Sequence, residues 1–282
     1  MGADRGMVDN GEAIVEITKW LAFSDIHIPH HDPEAVEWVR EQIAQYKPAV
    51  VINCGDLFDA RAASRWPKDF AHVLAEEYAQ AGDILAMLRK SAPSNARCIW
   101  LHGNHEDNIL AEGRLAQDVR GLLHWDKHIA EAKQWEQLPY RSTQRGVFRI
   151  GQVTFRHGFS ISAAGIKREA VVWGRPWGLM VSGHTHRPHA PIGVEVCGID
   201  TRYSYANTGC LLSMTEPLAY MRRHEWSKWG QAIVLGESMP LKSPREGRYW
   251  RAETRVRNLV SDTDTSLWKC AYTDAPAVGG IE

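Results

Sequence analysis

Cysteine is sparse in this 282-residue chain and poorly patterned: Cys54, Cys98, Cys197, Cys210 and Cys270 are odd in number, scattered, and never spaced as CxxC. That excludes a disulfide framework and a thiolate zinc site. Cys54 and Cys98 fall inside apolar segments and read as small core residues. No run of about eighteen apolar residues occurs and no leader-like apolar stretch opens the sequence, so neither a membrane span nor export is expected, and a cytoplasmic location is the default. An excess of charge is missing too. With 33 basic against 34 acidic residues the formal net charge is -1, which argues against a nucleic-acid-coating or membrane-surface protein. Internal repeats, low-complexity tracts and a clear linker are likewise absent.

What is present alternates between strand and helix. IVEITKWLAF at 14–23 reads as strand and DPEAVEWVREQIAQY at 32–46 as helix, with Asp32 as N-cap, Pro33 in the first helical position and Glu34 in the first turn. AVVIN at 49–53 has the β-branched pattern of a strand buried on both faces. Helical spacing follows from about Lys68 to Lys90, then a strand at 97–101 and one or two helices over 106–133. This alternation predicts a mainly parallel sheet with helices on its faces. Beyond Gly146 the strands shorten and the chain reads as more antiparallel, with a helix near 162–172 and later strands at 231–235 and 249–256. The expected fold is an α/β, two-layered or sandwich-like mixed β-sheet core flanked by helices. It would occupy 14–270 as one domain, with a C-terminal β-containing extension over about 237–270 and flexible tails at 1–13 and 271–282.

Five fragments stand directly behind apolar runs: SDIH at 24–27, GDLFD at 55–59, GNHE at 103–106, RHG at 156–158 and GHTH at 183–186. In an open α/β sheet, ligands bind beyond the carboxyl ends of the strands, where loops govern the backbone. Asp25 and His27 are two apart, so an extended segment would project both to one side, and His184 and His186 repeat the device. Asp56 brings a carboxylate that can bridge two cations, and Asn104 a neutral amide oxygen. With His157 these residues form a mixed nitrogen and oxygen donor set without thiolate, which suits Mn²⁺, Fe²⁺ or Zn²⁺ without choosing among them; Mn²⁺ is the ion expected. Each fragment alone is ordinary turn chemistry. Five in succession, large enough to hold two divalent metal ions side by side, point to hydrolysis of a phosphate ester.

The ordered set DxH, GDxxD, GNH[DE], H, GHxH, carried here by Asp25 and His27, Asp56 with Asp59, Asn104 with His105 and Glu106, His157, and His184 with His186, resembles the calcineurin-like metallophosphoesterases over about residues 15–210. The opening SDIHIPHHDP is similar to stand-alone bacterial or phage-type members. The resemblance implies one metal on Asp25, His27, Asp56 and His186, a second on Asp56, Asn104, His157 and His184, and attack by a water or hydroxide between them. It also implies a substrate-directed role for His105, which would stabilise the developing oxyanion or protonate the leaving oxygen. Protein phosphatases of this superfamily typically read GDxVDRG; here GDLFDAR puts Ala60 where their arginine stands and Arg61 one residue late. A phosphodiester, nucleotide or nucleic acid, is therefore slightly preferred as substrate. A phosphomonoesterase or protein phosphatase is the alternative, and a non-catalytic nucleic-acid-binding module that keeps the fold is the alternative of another class.

Outside that set, Asp59 could support a ligand by hydrogen bonding or simply cap a helix. Arg61 and Arg187 could meet the substrate phosphate, and Trp173 and Trp177 could stack a base or pack beneath loops. Residues 222–257, rich in Arg and Lys, could track phosphates or only solvate a strand. The oligomeric state is not written in the sequence.

Overall fold

The structure, a computed structural model, describes residues 7–8, 15–63, 73–110, 117–140, 146–195, 202–214, 228–239, 249–257 and 265–273. In chain order the elements are β1 (Met7–Val8), β2 (Val15–Glu16), β3 (Thr18–Phe23), α1 (Pro33–Tyr46), β4 (Val50–Asn53), α2 (Leu74–Ser91), β5 (Arg97–Leu101), α3 (Asn104–Leu110), α4 (Gln117–Leu123) and β6 (Glu136–Leu138). There follow β7 (Phe148–Ile150), β8 (Val153–Arg156), α5 (Ala163–Trp173), β9 (Leu179–Ser182), β10 (Pro188–Glu195), β11 (Arg202–Thr208), β12 (Ala232–Ser238), β13 (Tyr249–Val256) and β14 (Thr265–Thr273).

Alternation along the short apolar runs decides the layering, because successive side chains leave a strand on opposite faces. In β3, β4 and β5 one set, Trp20, Ala22, Val50, Ile52, Ile99 and Leu101, packs against Phe148, Val153, Phe155, Leu179 and Val181 of a second sheet. The intervening set, Leu21, Phe23, Val51, Cys98 and Trp100, packs against Val36, Val39 and Ile43 of α1 and Tyr78, Leu85 and Leu88 of α2. On the far side of the second sheet, Met180 and Tyr205 meet Ile166 and Ala170 of α5. The result is a sandwich of two mixed sheets flanked by helices. The seven-stranded sheet runs β14-β13-β12-β3-β4-β5-β6 and the five-stranded sheet β10-β11-β9-β8-β7.

Several expectations are refined. Asp32 caps α1, its Oδ1 accepting from the Glu34 N–H at 2.9 Å. Helix α2 starts at Leu74, and the part predicted before it, about 68–72, lies outside the described residues. The stretch 106–133 breaks into α3, α4 and two 3-10 turns, and a short parallel strand, β6, follows it. The C-terminal strands are integral to the sandwich. β12 pairs antiparallel with β3, and its Val234 and the Trp250 and Ala252 of β13 belong to the inter-sheet core. Described strands also reach into both stretches expected as tails, at Met7–Val8 and at the end of β14. Cys54, Cys98 and Cys210 are buried and free, as core residues. Among the described residues no helix is long and apolar enough to cross a membrane.

Candidate metal centre

The carboxyl ends of β3, β4 and β5 in one sheet and of β8 and β9 in the other open onto a common edge, and each ends in one of the five fragments. The extended geometry expected for SDIH does not hold. Asp25 and His27 have φ of 55° and 52°, and Asp56, His184 and His186 share this left-handed conformation at 54°, 70° and 58°. Such backbone costs non-glycine residues roughly 1–3 kcal/mol each and persists only where surroundings over-determine it. Here they do: the Asp25 N–H donates to Gly55 O at 2.9 Å, that of His27 to Asp56 O at 3.0 Å, and the Asp25 carbonyl accepts from Leu211 N–H at 3.0 Å. Two glycines permit the close approach, since a side chain at Gly103 would strike the Asp56 carboxylate and one at Gly183 would strike Ser24 and Asp25.

Seven side chains converge in two groups that share Asp56. In the first, His186 Nε2 lies 3.1 Å from Asp25 Oδ1 and 3.0 Å from His27 Nε2, while His27 Nε2 is 3.7 Å from both Asp25 Oδ1 and Asp56 Oδ2. In the second, His157 Nε2 lies 3.2 Å from Asp56 Oδ2, 3.1 Å from Asn104 Oδ1 and 3.2 Å from His184 Nδ1. Donor atoms bound at about 2.1 Å to one ion stand about 3.0 Å apart in an octahedron and about 3.4 Å apart in a tetrahedron, so most of these separations are those of a coordination shell. Acid–imidazole groups able to hold a metal ion are Asp25, His27 and His186, and Asp56, His157 and His184. A third, His27, Asp59 and His105, uses the outer ring nitrogens.

The protonation pattern also fits a cation. His157 Nδ1 meets the Cys54 carbonyl at 2.9 Å and must donate to it, which leaves Nε2 directed at Asp56. Burial alone would lower the pKa of His157, but the Asp56 carboxylate outweighs it and pushes the ring up to about 9. Positive charge is favoured at that point, and a metal ion supplies it. Burial would raise Asp25 and Asp56, yet the surrounding imidazoles, His186 foremost for Asp25 and His157 for Asp56, hold both well below the usual carboxylate range. His184 is lowered to about 4 by burial and the neighbouring His157, and burial likewise lowers His186. Ionised carboxylates and neutral imidazoles are the ligating forms. Asp25, Asp56, His184 and His186 favour them already, while the protons that the neighbouring carboxylates favour on His157 and His27 are those a metal ion would displace.

Residues 18–175 match the calcineurin-like phosphoesterase family. The chain belongs to that family. No curated protein matches the sequence. Among solved structures, this calcineurin-like phosphoesterase is similar to vacuolar protein sorting 29 from Cryptosporidium parvum, at 14% identity over 92% of this chain and 99% of that one with a TM-score of 0.49. It is also similar to Vps29 of Chaetomium thermophilum, at 13% identity over 92% and 98% with a TM-score of 0.47. The Zn²⁺ complex of wild-type Vps29 from Entamoeba histolytica has 13% identity over 88% and 98% and a TM-score of 0.41.

Other residues of this family member hold the converging set in place. Asp59 does not act as a simple cap: its Oδ1 lies 3.4 Å from His27 Nδ1 and 3.3 Å from His105 Nδ1, and its carbonyl accepts from His105 Nδ1 at 2.5 Å. Burial would raise its carboxyl, but His27 and His105 hold it down to about 2. Arg61 sits half-buried on the 3-10 turn Arg61–Ala63, and Arg187 is half-buried with its main-chain N–H on Thr185 Oγ1 at 3.3 Å. Trp173 packs, against the α5 core and with the Arg156 guanidinium 4.5 Å over its ring, and the half-buried Trp177 accepts from Trp250 Nε1 through its main-chain carbonyl. Among the described basic residues of 222–257, Arg251 pairs with Glu237, Arg255 with Glu253, and Arg257 with Asp32 and Glu34, while Lys228 is exposed. Arg222, Arg223, Lys242, Arg245 and Arg248 lie outside the described residues.

The sequence named Glu106 only as the end of GNHE, yet its buried carboxylate clamps two loops at once. Oε2 accepts from Asp56 N–H at 3.1 Å and Gly103 N–H at 2.6 Å, and Oε1 from Leu57 N–H at 2.7 Å. Burial and the Asp56 charge push this carboxyl up to about 7. Ser24 donates to Asp25 Oδ2, and Asn207 Nδ2 to Gly183 O at 2.7 Å. Trp229 sets its ring 4.0 Å from that of His186. Glu106→Gln keeps the shape but turns an N–H group toward an N–H donor, which costs about 1–3 kcal/mol. The expected result is a fall in Tm of roughly 3–10 °C together with a ten- to hundredfold weaker Mn²⁺ affinity, of the order seen for partners of metal ligands. Melting curves and calorimetric Mn²⁺ titration measure both, and an unchanged pair would refute the clamp.

Proposed function

We propose that this calcineurin-like phosphoesterase hydrolyses a phosphate ester at a dinuclear divalent-metal centre, with a phosphodiester, nucleotide or nucleic acid, preferred to a monoester. The supporting observation is the position of Asp56 Oδ2, 3.2 Å from His157 Nε2 in one donor group and 3.7 Å from His27 Nε2 in the other. Asp25, His27, His186 and Asp56 would hold one ion, and Asp56, Asn104, His157 and His184 the other. Two bound cations supply charge neutralisation on the phosphate oxygens and acidification of water. Asp59 orients the rings of His27 and His105 from behind, and the Asp59 carbonyl takes the Nδ1 proton of His105 so that Nε2 faces the cleft beside Asp56. His105 is the residue that acts on substrate. A mixed nitrogen and oxygen donor set without thiolate suits Mn²⁺, Fe²⁺ or Zn²⁺, and Mn²⁺ is the ion proposed.

A protein phosphatase reading is weaker. Ala60, which replaces the phosphate-holding arginine, is fully buried, and its N–H donates to Glu77 Oε2 at 2.8 Å. A non-catalytic binding module would not need so complete a donor set.

The deciding assay is hydrolysis of bis-p-nitrophenyl phosphate against p-nitrophenyl phosphate after loading with Mn²⁺, Fe²⁺ or Zn²⁺. Turnover of the diester at the higher kcat/KM, abolished by chelator, is expected; failure to hydrolyse either ester with any of the three metals would sink the enzyme reading. Metal binding should also be visible without catalysis. Each Mn²⁺ site filled at a hundred times its Kd stabilises the folded chain by about 2.7 kcal/mol, a rise in Tm of roughly 5–10 °C per ion, reversed by chelator.

A further inference from the structure

Beyond His157 the chain passes at once from buried to exposed residues. Gly158 turns it with φ 105°, and a Cβ at that glycine would stand 3.5 Å from His184 Cβ. Phe159 follows two residues after His157 of the second donor group, and its ring is linked to that of His157 through Tyr140. It is 45% exposed, and Ile161 two residues on is 60% exposed. The Phe159 ring is nonetheless fixed. Its main-chain N–H is held by both oxygens of Glu169, at 3.1 and 3.2 Å. Its ring centroid lies 4.5 Å from that of Tyr140, and the Arg156 guanidinium sits 4.5 Å from the same ring, backed in turn by Trp173 at 4.5 Å. Tyr140 is pinned by its hydroxyl, which donates to Gly158 O at 3.0 Å, and its ring meets His157 edge-on at 5.7 Å. An aromatic run thus leads from His157 through Tyr140 to an exposed ring.

A large apolar ring left in water and braced from behind has little conformational entropy to lose when another flat group covers it. The Phe159 ring stands two centroid steps from that of His157, 5.7 Å to Tyr140 and 4.5 Å beyond it, within the reach of a nucleotide from its phosphate to its own base. We infer that Phe159, supported by Tyr140 and Arg156 and flanked by Ile161, is the platform on which the nucleobase of the substrate stacks. Nucleotide phosphodiesters are then the substrate class. This rests on the phosphoesterase reading above, which supplies the phosphate position.

Calorimetric titration of the Mn²⁺-loaded protein with adenosine 5′-monophosphate and, separately, with inorganic phosphate tests the platform without needing turnover. The wild type should bind the nucleotide at least about tenfold more tightly than phosphate. Phe159→Ala should weaken nucleotide binding roughly ten- to a hundredfold, the range of base–aromatic stacking, and leave phosphate affinity unchanged; Phe159→Trp should keep the preference. Equal weakening of both ligands would assign Phe159 to bracing His157 and overturn the inference. A nucleotide preference absent from the wild type, or surviving in Phe159→Ala, would overturn it too while leaving the phosphoesterase reading intact. Absence of phosphate binding together with absence of ester hydrolysis in any metal would remove both.

Discussion

Asp56→Asn is expected to strip metal from both halves of the centre and to lower phosphodiester hydrolysis by about 10³-fold or more. Asparagine has the shape of aspartate, and its one oxygen can still accept the His105 main-chain N–H that Asp56 Oδ1 accepts at 2.9 Å. The loss falls on the other atom. Oδ2 faces His157 Nε2 at 3.2 Å and His27 Nε2 at 3.7 Å, and in the variant an NH₂ group would stand there, unable to ligate and without the charge that lowers repulsion between two neighbouring cations. Several kcal/mol of charge stabilisation in the transition state depend on those ions, and about 4 kcal/mol corresponds to the stated rate loss. Elemental analysis after Mn²⁺ loading should find well under one ion per chain, against two in the wild type. A melting curve in chelator, matched to that of the chelated wild type, would confirm that the fold is retained. Two ions still bound in Asp56→Asn would rule out the bridging role.

The residues of this centre are legible in the sequence because a strand end is a local signal. Apolar alternation fixes where β3, β4, β5, β8 and β9 stop, and the polar residues after each stop have nowhere to go but the edge of the sheets. What the sequence conceals is the backbone at those ends. Asp25 and His27 look like an extended pair, yet both are left-handed, because the loop after β3 hydrogen-bonds along the GDLFD loop, a partner thirty residues away in the chain. Supporting contacts are hidden for the same reason. Nothing near Glu106 in the sequence announces that it accepts from Asp56 and Leu57, nor anything near Asn207 that it anchors Gly183.

Aromatic residues were the least legible. Trp173 stands in a conspicuous tryptophan-rich segment, but it packs over the Arg156 guanidinium, while the exposed ring two residues beyond His157 is Phe159, with Tyr140 against it. The available signal was position rather than composition: Phe159 lies two residues beyond a proposed ligand, on the outward side of a glycine. At the C-terminal end, the antiparallel addition of β12 and β13 to β3 is invisible to periodicity, which reports which face is buried and not which neighbour a strand chooses. The strand pattern at 231–235 was clear, and only its partner was not.

His105→Ala should separate catalysis from metal binding. The ring's Nδ1 is taken by the Asp59 carbonyl at 2.5 Å, and its Nε2 stands 3.9 Å from Asp56 Oδ2, farther than any member of the two donor groups stands from its neighbours. Two Mn²⁺ per chain are therefore expected in the variant, with kcat reduced about 10²- to 10⁴-fold, the range for loss of a positioned acid or hydrogen-bond donor. Leaving an Asp59 carbonyl without its partner costs about 1–3 kcal/mol, so a modest drop in Tm accompanies the rate loss and does not explain it. Leaving-group dependence then distinguishes two roles for the ring. If His105 protonates the departing oxygen, the defect is far larger for an alkyl diester than for a p-nitrophenyl diester, whose phenolate departs unaided; if it stabilises charge on the phosphoryl oxygens, both diesters lose rate equally. A metal count that fell by one would instead place an ion among His27, Asp59 and His105, the third acid–imidazole group, and would make His105 a ligand.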